Sequence, residues 1–418
     1  MRKNKTFYSP LLSYINILKD IITSLEYLYE SSLVPKRSRG KYCLYWDKRK
    51  YLNKLINRIK SFYTKKTNYI DIVGPSVKPI SKKPRIVHLI VWLGGIGGAP
   101  RLILDLANGL KDKYDMEGIT LSDDFYYKYS NFKVYHFSKP EKTLEFLLSN
   151  PPDILHTYYY GDWKGFHRNF EMILKSKLPS AIIENLLVPI HIYRSSRINH
   201  YVYCSNYIRE IQHKKFANET VIYPGVDIEE FILDEKIKKS PNSVGMVYRL
   251  WDDKIDQSTI EMFISLVKKR PSTLVYIIGG GFNFHHYVER VRIEGVRNNF
   301  YFTGEIGYKD LPSWYDRFGI FVAPVHNESY GLVVPYAMAK NIPVVAYRRG
   351  VLPELLGDTN SIINTSNEMV NKLVYLLDNP NIAVKIASGG RERVVKLFSM
   401  DKMIEQYGTL YQKLLNDN

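Results

Sequence analysis

RIVHLIVWLGGIGGAPRLILDLANGL, residues 85–110, is the stretch on which the fold turns. Its first nine residues are mostly branched apolar side chains broken only by His88, and a spanning helix needs about 20, so they suit a buried strand. Four glycines between Gly94 and Gly98 then give a loop, and Pro100 opens a stretch with Leu102, Leu106 and Leu110 on one helical face. Strand, glycine loop and amphipathic helix in that order make the repeating unit of a parallel sheet with helices on its faces.

The same alternation continues outward. Further strands are expected at DILHTYY (153–159), AIIENL (181–186) and YVYCS (201–205). A second series starts after Asn242 with SVGMVYRL, TLVYIIGGG, FYFTG, GIFVAPV, PVVAYR and SIINT. VIYPGVDIEEF, residues 221–231, joins the two. The fold class is therefore α/β, with two doubly wound, Rossmann-like domains facing a cleft.

Composition excludes several other classes. At 45% hydrophobic and 24% charged residues the chain lies in the range of ordinary globular proteins, so disorder and fibre are poor readings. Two cysteines, Cys43 and Cys204, can build neither a disulfide framework nor a four-thiolate zinc site, which fits a reducing compartment. The basic N-terminus lacks a small-residue cleavage site and no apolar run reaches spanning length, so a cytoplasmic protein is expected.

Charge is uneven. Residues 1–85 hold 20 Lys or Arg against five acids, a net +15 that leaves only +2 of the chain's +17 for the remainder. Within this extension Leu52, Leu55, Ile56, Ile59, Phe62 and Tyr63 recur at three- and four-residue steps, with lysines and arginines elsewhere on the wheel. An earlier helix is expected over about 11–33, and the Pro- and Lys-bearing segment 74–84 reads as a linker. Residues 41–66 thus suit an anionic membrane surface, with packing on the protein itself or nucleic-acid binding as alternatives. The expected divisions are 1–80 for the extension, 81–225 and 226–400 for the two sheet domains, and 401–418 for a closing helix that packs back on the first domain.

In open parallel sheets, ligands bind beyond the carboxyl ends of the strands. Three loops there carry chemistry. The glycines of loop 94–98 let backbone N–H groups approach an anion at a helix start. RLWDDK places Arg249 and Lys254 five residues apart after a strand, a fork and a point charge able to grip a diphosphate. HNESYGLVVPYAMAK sets Glu328 in a loop before a helix, where it can accept bonds from sugar hydroxyls. Solvated surface charge and tight turns are the ordinary alternatives for each alone.

Taken in order, these segments resemble the retaining glycosyltransferases of the GT-B fold, and specifically glycosyltransferase family 4, over about residues 85–415. The motifs are GGAPRLILDLANGL, DILHTY, VIYPGVDIEEF, VYRLWDDK, VYIIGGG, FYFTGEIGYKDLPSWYDRFGIFVAP, ESYGLVVPYAMAKNIPVVA, RGVLPELL and RERVVKLFSMDKMIEQYGTLYQKLL. The resemblance implies that Arg249 and Lys254 neutralise the diphosphate of a nucleoside diphosphate sugar, either UDP- or GDP-linked. It implies that Glu328, first Glu of a Glu-x7-Glu motif, meets the transferred sugar, and that Gly331, Leu332 and Val333 hold phosphate or sugar through backbone amides. Gly97 and Gly98 would close from across the cleft, Gly280 would permit close approach near the nucleoside, and the backbone from Gly304 to Ile306 would meet the base. His156 matches the first His of an acceptor-side His-x-His motif and is a catalytic candidate. No Asp-x-Asp motif is found, so neither a metal nor a further cofactor is expected.

The chain departs from that pattern at telling places. Tyr336 stands where the second Glu would bind ribose, Pro100 stands for the Glu of GGxE, Ile255 for the glycine after the lysine, and Tyr158 for the second His. A phenol cannot chelate two hydroxyls as a carboxylate does. The expected function is transfer of a hexose with retention, without a metal, to a lipid or glycan acceptor. A non-catalytic GT-B scaffold, a transferase acting on nucleic acid or protein, and an epimerase on the same fold are the rival readings.

Overall fold

The computed structural model describes residues 83–417 except 94–96, 122–131, 160, 162–165, 213–215, 233–239 and 358. The basic extension, with the helices expected at about 11–33 and around 52–63, lies outside the described residues. Residues 79–418 form one compact unit.

The first domain runs β1 (Arg85–Ile90), α1 (Gly98–Gly109), β2 (Asp115–Thr120), β3 (Lys133–His136), α2 (Pro140–Ser149), β4 (Ile154–Thr157), α3 (Phe166–Lys175), β5 (Ala181–Leu186), β6 (His200–Tyr203), α4 (Asn206–Glu210) and β7 (Glu219–Val221). Its strands lie in the order β3-β2-β1-β4-β5-β6-β7, all parallel. β1, β4 and β5 are buried almost throughout because helices cover both faces, which explains their continuous apolar runs. β2, DMEGIT, carries no such run: its Glu117 is buried and is neutralised by Arg85 of the adjacent strand at 2.8 Å.

The second domain runs β8 (Ser243–Val247), α5 (Gln257–Lys269), β9 (Leu274–Ile278), α6 (Phe284–Ile293), β10 (Phe300–Phe302), α7 (Leu311–Tyr315), β11 (Ile320–Ala323), α8 (Val333–Ala339), β12 (Val344–Tyr347), α9 (Leu352–Leu356), β13 (Ile362–Ile363), α10 (Ser366–Asp378) and α11 (Pro380–Leu397). Its parallel strands follow the order β10-β9-β8-β11-β12-β13. Side chains fix several helix starts: Asp256 accepts from the Ser258 N–H at 2.7 Å and Thr365 from the Glu368 N–H at 3.2 Å. Two doubly wound sheets, each order reversing beside its first strand, give the expected architecture.

The chain crosses between the domains twice. Residues 222–227 lead outward, and α12 (Met400–Asn416) returns to the first domain. The crossings pair side by side: the Val226 N–H donates to Phe398 O at 2.8 Å and the Met400 N–H to Val226 O at 2.9 Å. α12 buries Met403, Tyr407, Leu410, Tyr411 and Leu414 in the same cluster as Ile86, Ile90, Leu102, Ile103 and Leu106 of β1 and α1. Each such burial stabilises by about 1.5–3 kcal/mol, so the helix is an integral part of the first core. Among the described residues no helix is long and apolar enough to cross a membrane.

Candidate functional site

All strands of the second sheet are parallel, so the loops after β8, β9, β11 and β12 emerge along one edge. Arg249 and Lys254 lie on the loop after β8. The turn that separates them is closed by N–H donation from Lys254 and Ile255 to Trp251 O at 2.9 and 3.0 Å. Ile255 is fully buried and anchors this turn in the core. Arg249 is 63% exposed and pairs only loosely, at 3.0 Å, with Asp253. Lys254 reaches the loop after β11, donating to Glu328 Oε1 at 2.7 Å and to Asn327 O at 3.2 Å. The structure therefore joins Lys254 to Glu328, while Arg249, on the same loop, pairs with Asp253.

Glycines hold Glu328 in place. Gly331 has φ +70, and a Cβ there would lie 2.6 Å from Glu328 Cδ, so the chain can fold back over that side chain only without one. Gly350, at φ +51, passes directly against the Glu328 carbonyl, which accepts from the Val351 N–H at 3.0 Å. Leu332 and Val333 follow into α8. Gly98, which opens α1 in the first domain, has Leu332 Cδ1 as the nearest neighbour of a hypothetical Cβ at 3.9 Å, so the two glycine-bearing loops meet across the cleft. Gly97 is the residue before that helix. Gly280 packs on the Glu305 backbone, and the neighbouring Gly279 N–H donates to Gly304 O at 3.1 Å, which sets Gly304 and Ile306 beside the loop after β9.

Tyr336 sits differently from the carboxylate it replaces. It is 4% exposed, with its ring stacked on Phe231 at a centroid distance of 4.0 Å and an interplanar angle of 3°. Burial pushes its phenol above the ordinary value. A carboxylate nevertheless reaches this region from the interdomain segment: Glu230 Oε2 accepts from Tyr308 Oη at 2.9 Å and from Arg101 at 3.3 Å. Arg101, on α1, also stacks over the Tyr308 ring at 4.1 Å and pairs with Asp105 at 2.7 Å. Burial lifts the Asp105 carboxyl to about 6 even though Arg101 opposes the shift. Sequence reading missed this cluster, because Arg101, Glu230 and Tyr308 sit on three separate segments and nothing in the motifs that hold them says that they meet.

His156 is not brought to the cleft. Its place on β4 turns it into the fully buried cluster beneath α12, where Nδ1 lies 2.8 Å from Tyr411 Oη and the ring stacks on Tyr158 at 4.7 Å. His88 lies beside it at a centroid distance of 5.0 Å, with Nδ1 3.0 Å from Tyr158 Oη. Burial holds both imidazoles neutral, with His88 lowered to about 3 and His156 well below the ordinary value. The reason is packing: a His at a strand end reads as a ligand-facing group, but α12 covers this one.

A second seam was also missed. Glu354, at the start of α9, accepts from the Asn206 N–H at 2.8 Å, the Tyr207 N–H at 2.9 Å, Asn206 Nδ2 at 3.0 Å and Tyr223 Oη at 2.6 Å, all from the first domain or the segment leaving it. Only its place beside a proline in RGVLPELL marked it in sequence, 148 residues from Asn206.

Known proteins point the same way. Residues 227–393 match the family model for glycosyl transferases group 1. The chain is 33% identical over 129 residues to the lipopolysaccharide core biosynthesis mannosyltransferase LpcC of Rhizobium leguminosarum bv. viciae, covering 30% of this chain and 36% of that protein. It is 26% identical over 216 residues to the mannosyltransferase LpsB of Rhizobium meliloti, with 47% and 61% covered. The chain thus spans between about a third and three fifths of these relatives. Among solved structures, Anabaena Alr3699/HepE in complex with UDP and glucose superposes with a TM-score of 0.65 at 15% identity, over 79% of this chain and 100% of that one. With its two Rossmann-like sheets the chain has the GT-B fold, and residues 227–393 of its second domain are similar to the glycosyl transferases group 1.

Proposed function

We propose that the protein is a retaining hexosyltransferase of glycosyltransferase family 4 that takes its sugar from a UDP- or GDP-linked donor. The observation that carries the reading is the Lys254–Glu328 contact at 2.7 Å with Arg249 on the same loop. On this reading Arg249, Lys254 and Glu328 serve the donor together from the loops after β8 and β11. Arg249 and Lys254 offset the charge that builds on the departing diphosphate, the electrostatic service a metal supplies elsewhere. Glu328 accepts from hydroxyls of the transferred sugar, and the backbone at Gly331, Leu332 and Val333 presents N–H groups to the phosphate. Gly97 and Gly98 approach from the other domain, while Gly280, Gly304 and Ile306 line the nucleoside side. Turnover in EDTA tests the metal-free part of the reading.

The acceptor proposed is a lipid or lipid-linked glycan at a membrane surface. It is supported by the basic stretch 41–66 and by relatives named for lipopolysaccharide core synthesis. Sedimentation with vesicles rich in anionic lipid, with and without residues 1–70, checks this, and equal sedimentation counts against it.

Calorimetric titration of UDP, GDP and ADP into the parent protein and Arg249→Ala tests the donor site. Selective binding of one nucleotide, weakened about 10–100-fold in the variant by loss of a charge-assisted bond, supports the reading. Absence of binding to all three favours a scaffold role, with the buried Tyr336 as its structural basis.

A further inference from the structure

We infer that Glu354 is the pivot residue of the interdomain hinge, a positioning residue that fixes the donor loop against the first domain; the inference rests on the transferase reading. Three separate parts of the chain meet at its carboxylate: α9 of the second domain, the start of α4 in the first, and Tyr223 of the connecting segment. Four donors at 2.6–3.0 Å occupy its two oxygens, a geometry that charge makes strong and directional.

The contact is tied to Glu328 from both sides. On the second domain, the Val351 N–H, one helical turn before Glu354, donates to Glu328 O at 3.0 Å. On the first, Ser205 Oγ, next to Asn206, donates to Ser329 O at 3.0 Å, and Cys204 Sγ approaches the same carbonyl at 3.8 Å. The loop bearing Glu328 is thus gripped between the two domains, and Glu354 holds the grip closed. Nearby, the Tyr223 ring packs edge-on against Phe398 at 4.9 Å, where the returning crossing begins. Both crossings therefore pass through the region that Glu354 orders.

A group placed there controls the angle between the domains. The nucleotide contacts proposed above lie mostly within the second domain, so Glu354 should leave nucleotide affinity nearly alone while governing steps that need both domains aligned. Misplacement of about 1 Å by a remote change costs up to about 100-fold in turnover.

The test measures alignment and chemistry separately on the full chain. Spin labels at Leu148→Cys on α2 and Val384→Cys on α11, sites 44% and 60% exposed, report the interdomain distance in a Cys43→Ser background; Cys204 is buried. Glu354→Gln keeps an oxygen acceptor but sets an amide N–H against backbone N–H groups. We expect a broader distance distribution, UDP-sugar consumption reduced about 10–100-fold, and UDP and GDP affinities within about twofold of the parent. Tyr223→Phe removes a single bond, keeps the ring, and should show the same changes on a smaller scale, so the idea stays testable if the Glu354 variant folds poorly. Parent-like distance widths and turnover in both variants overturn the proposal. A parent protein that binds no nucleotide contradicts the transferase reading instead, and the distance measurement still decides the pivot.

Discussion

Lys254 and Glu328 stand 74 residues apart in sequence and 2.7 Å apart across two neighbouring loops, with the Glu328 side chain only 6% exposed. The lysine is 23% exposed, so the pair is mostly shielded and water screens it only from the lysine side. Lys254→Ala should nevertheless cost about 1–3 kcal/mol, because the carboxylate loses its charge partner in a nearly closed site. Adding Glu328→Gln should recover most of that stability without recovering nucleotide affinity. Urea midpoints at constant slope beside calorimetric titration separate the two effects, and recovery of both would mean that the lysine serves only the carboxylate.

Gly331 permits the fold-back that lays the chain over Glu328. Gly331→Ala forces both a left-handed residue and a 2.6 Å contact with Glu328 Cδ, at a cost of about 1–3 kcal/mol. Sugar transfer should fall further than the change in melting temperature alone predicts. An alanine variant of full activity would show that the loop can adopt another path.

Tyr336→Glu installs the carboxylate that the resemblance to family 4 would place there, but not its surroundings. The substitution removes a ring stacked on Phe231 and buries a carboxylate in a region that already holds Glu230 and Asp105. A loss of about 3–5 kcal/mol is expected from truncating the buried aromatic, with no gain in nucleotide affinity. Thermal unfolding and titration check this, and tighter nucleotide binding would reveal a site that rearranges readily.

Two buried groups in the first domain pull stability in opposite directions with pH. His88 is lowered to about 3 against 6.5 when unfolded, so its contribution is present above about pH 6.5 and is lost as pH falls toward 3, at up to about 1.4 kcal/mol per pH unit. Glu184 is raised by burial to about 8, although Thr157 and the Tyr159 N–H oppose the shift. Its folded form keeps the proton, so its contribution is present below about pH 4.5 and is lost as pH rises to 8. Glu184→Gln should therefore flatten the decline between pH 4.5 and 8 and leave the acid limb unchanged. Urea unfolding across that range is the check, and an unaltered profile would mean that Glu184 is already ionised when folded.

The alternating apolar runs made β1, β4, β5 and the second series legible, because strands covered on both faces cannot hide their hydrophobicity. β2 escaped notice since Glu117 and Gly118 interrupt its run, and a glutamate there is tolerable because partners such as the Arg85 side chain of the next strand meet it. In the site, Arg249, Lys254 and Glu328 were legible because each follows a strand at the ligand-binding edge. Glu354, Arg101 and Glu230 were not, since the partners that join them across segments, Asn206 for Glu354 and Glu230 for Arg101, are distant in sequence. His156 misled for the converse reason: the helix that buries it begins more than 240 residues later.

The return of α12 also sets a timetable for biosynthesis. β7 ends at Val221, yet the cluster beneath β1 and α1 gains Met403, Tyr407 and Tyr411 only after residue 400 has been made. At about 5–20 residues per second the ribosome leaves that apolar surface uncovered for roughly 10–40 seconds. A nascent chain of this protein is therefore a natural client for a chaperone that shields half-built sheets, and shortening α12 would make that dependence permanent.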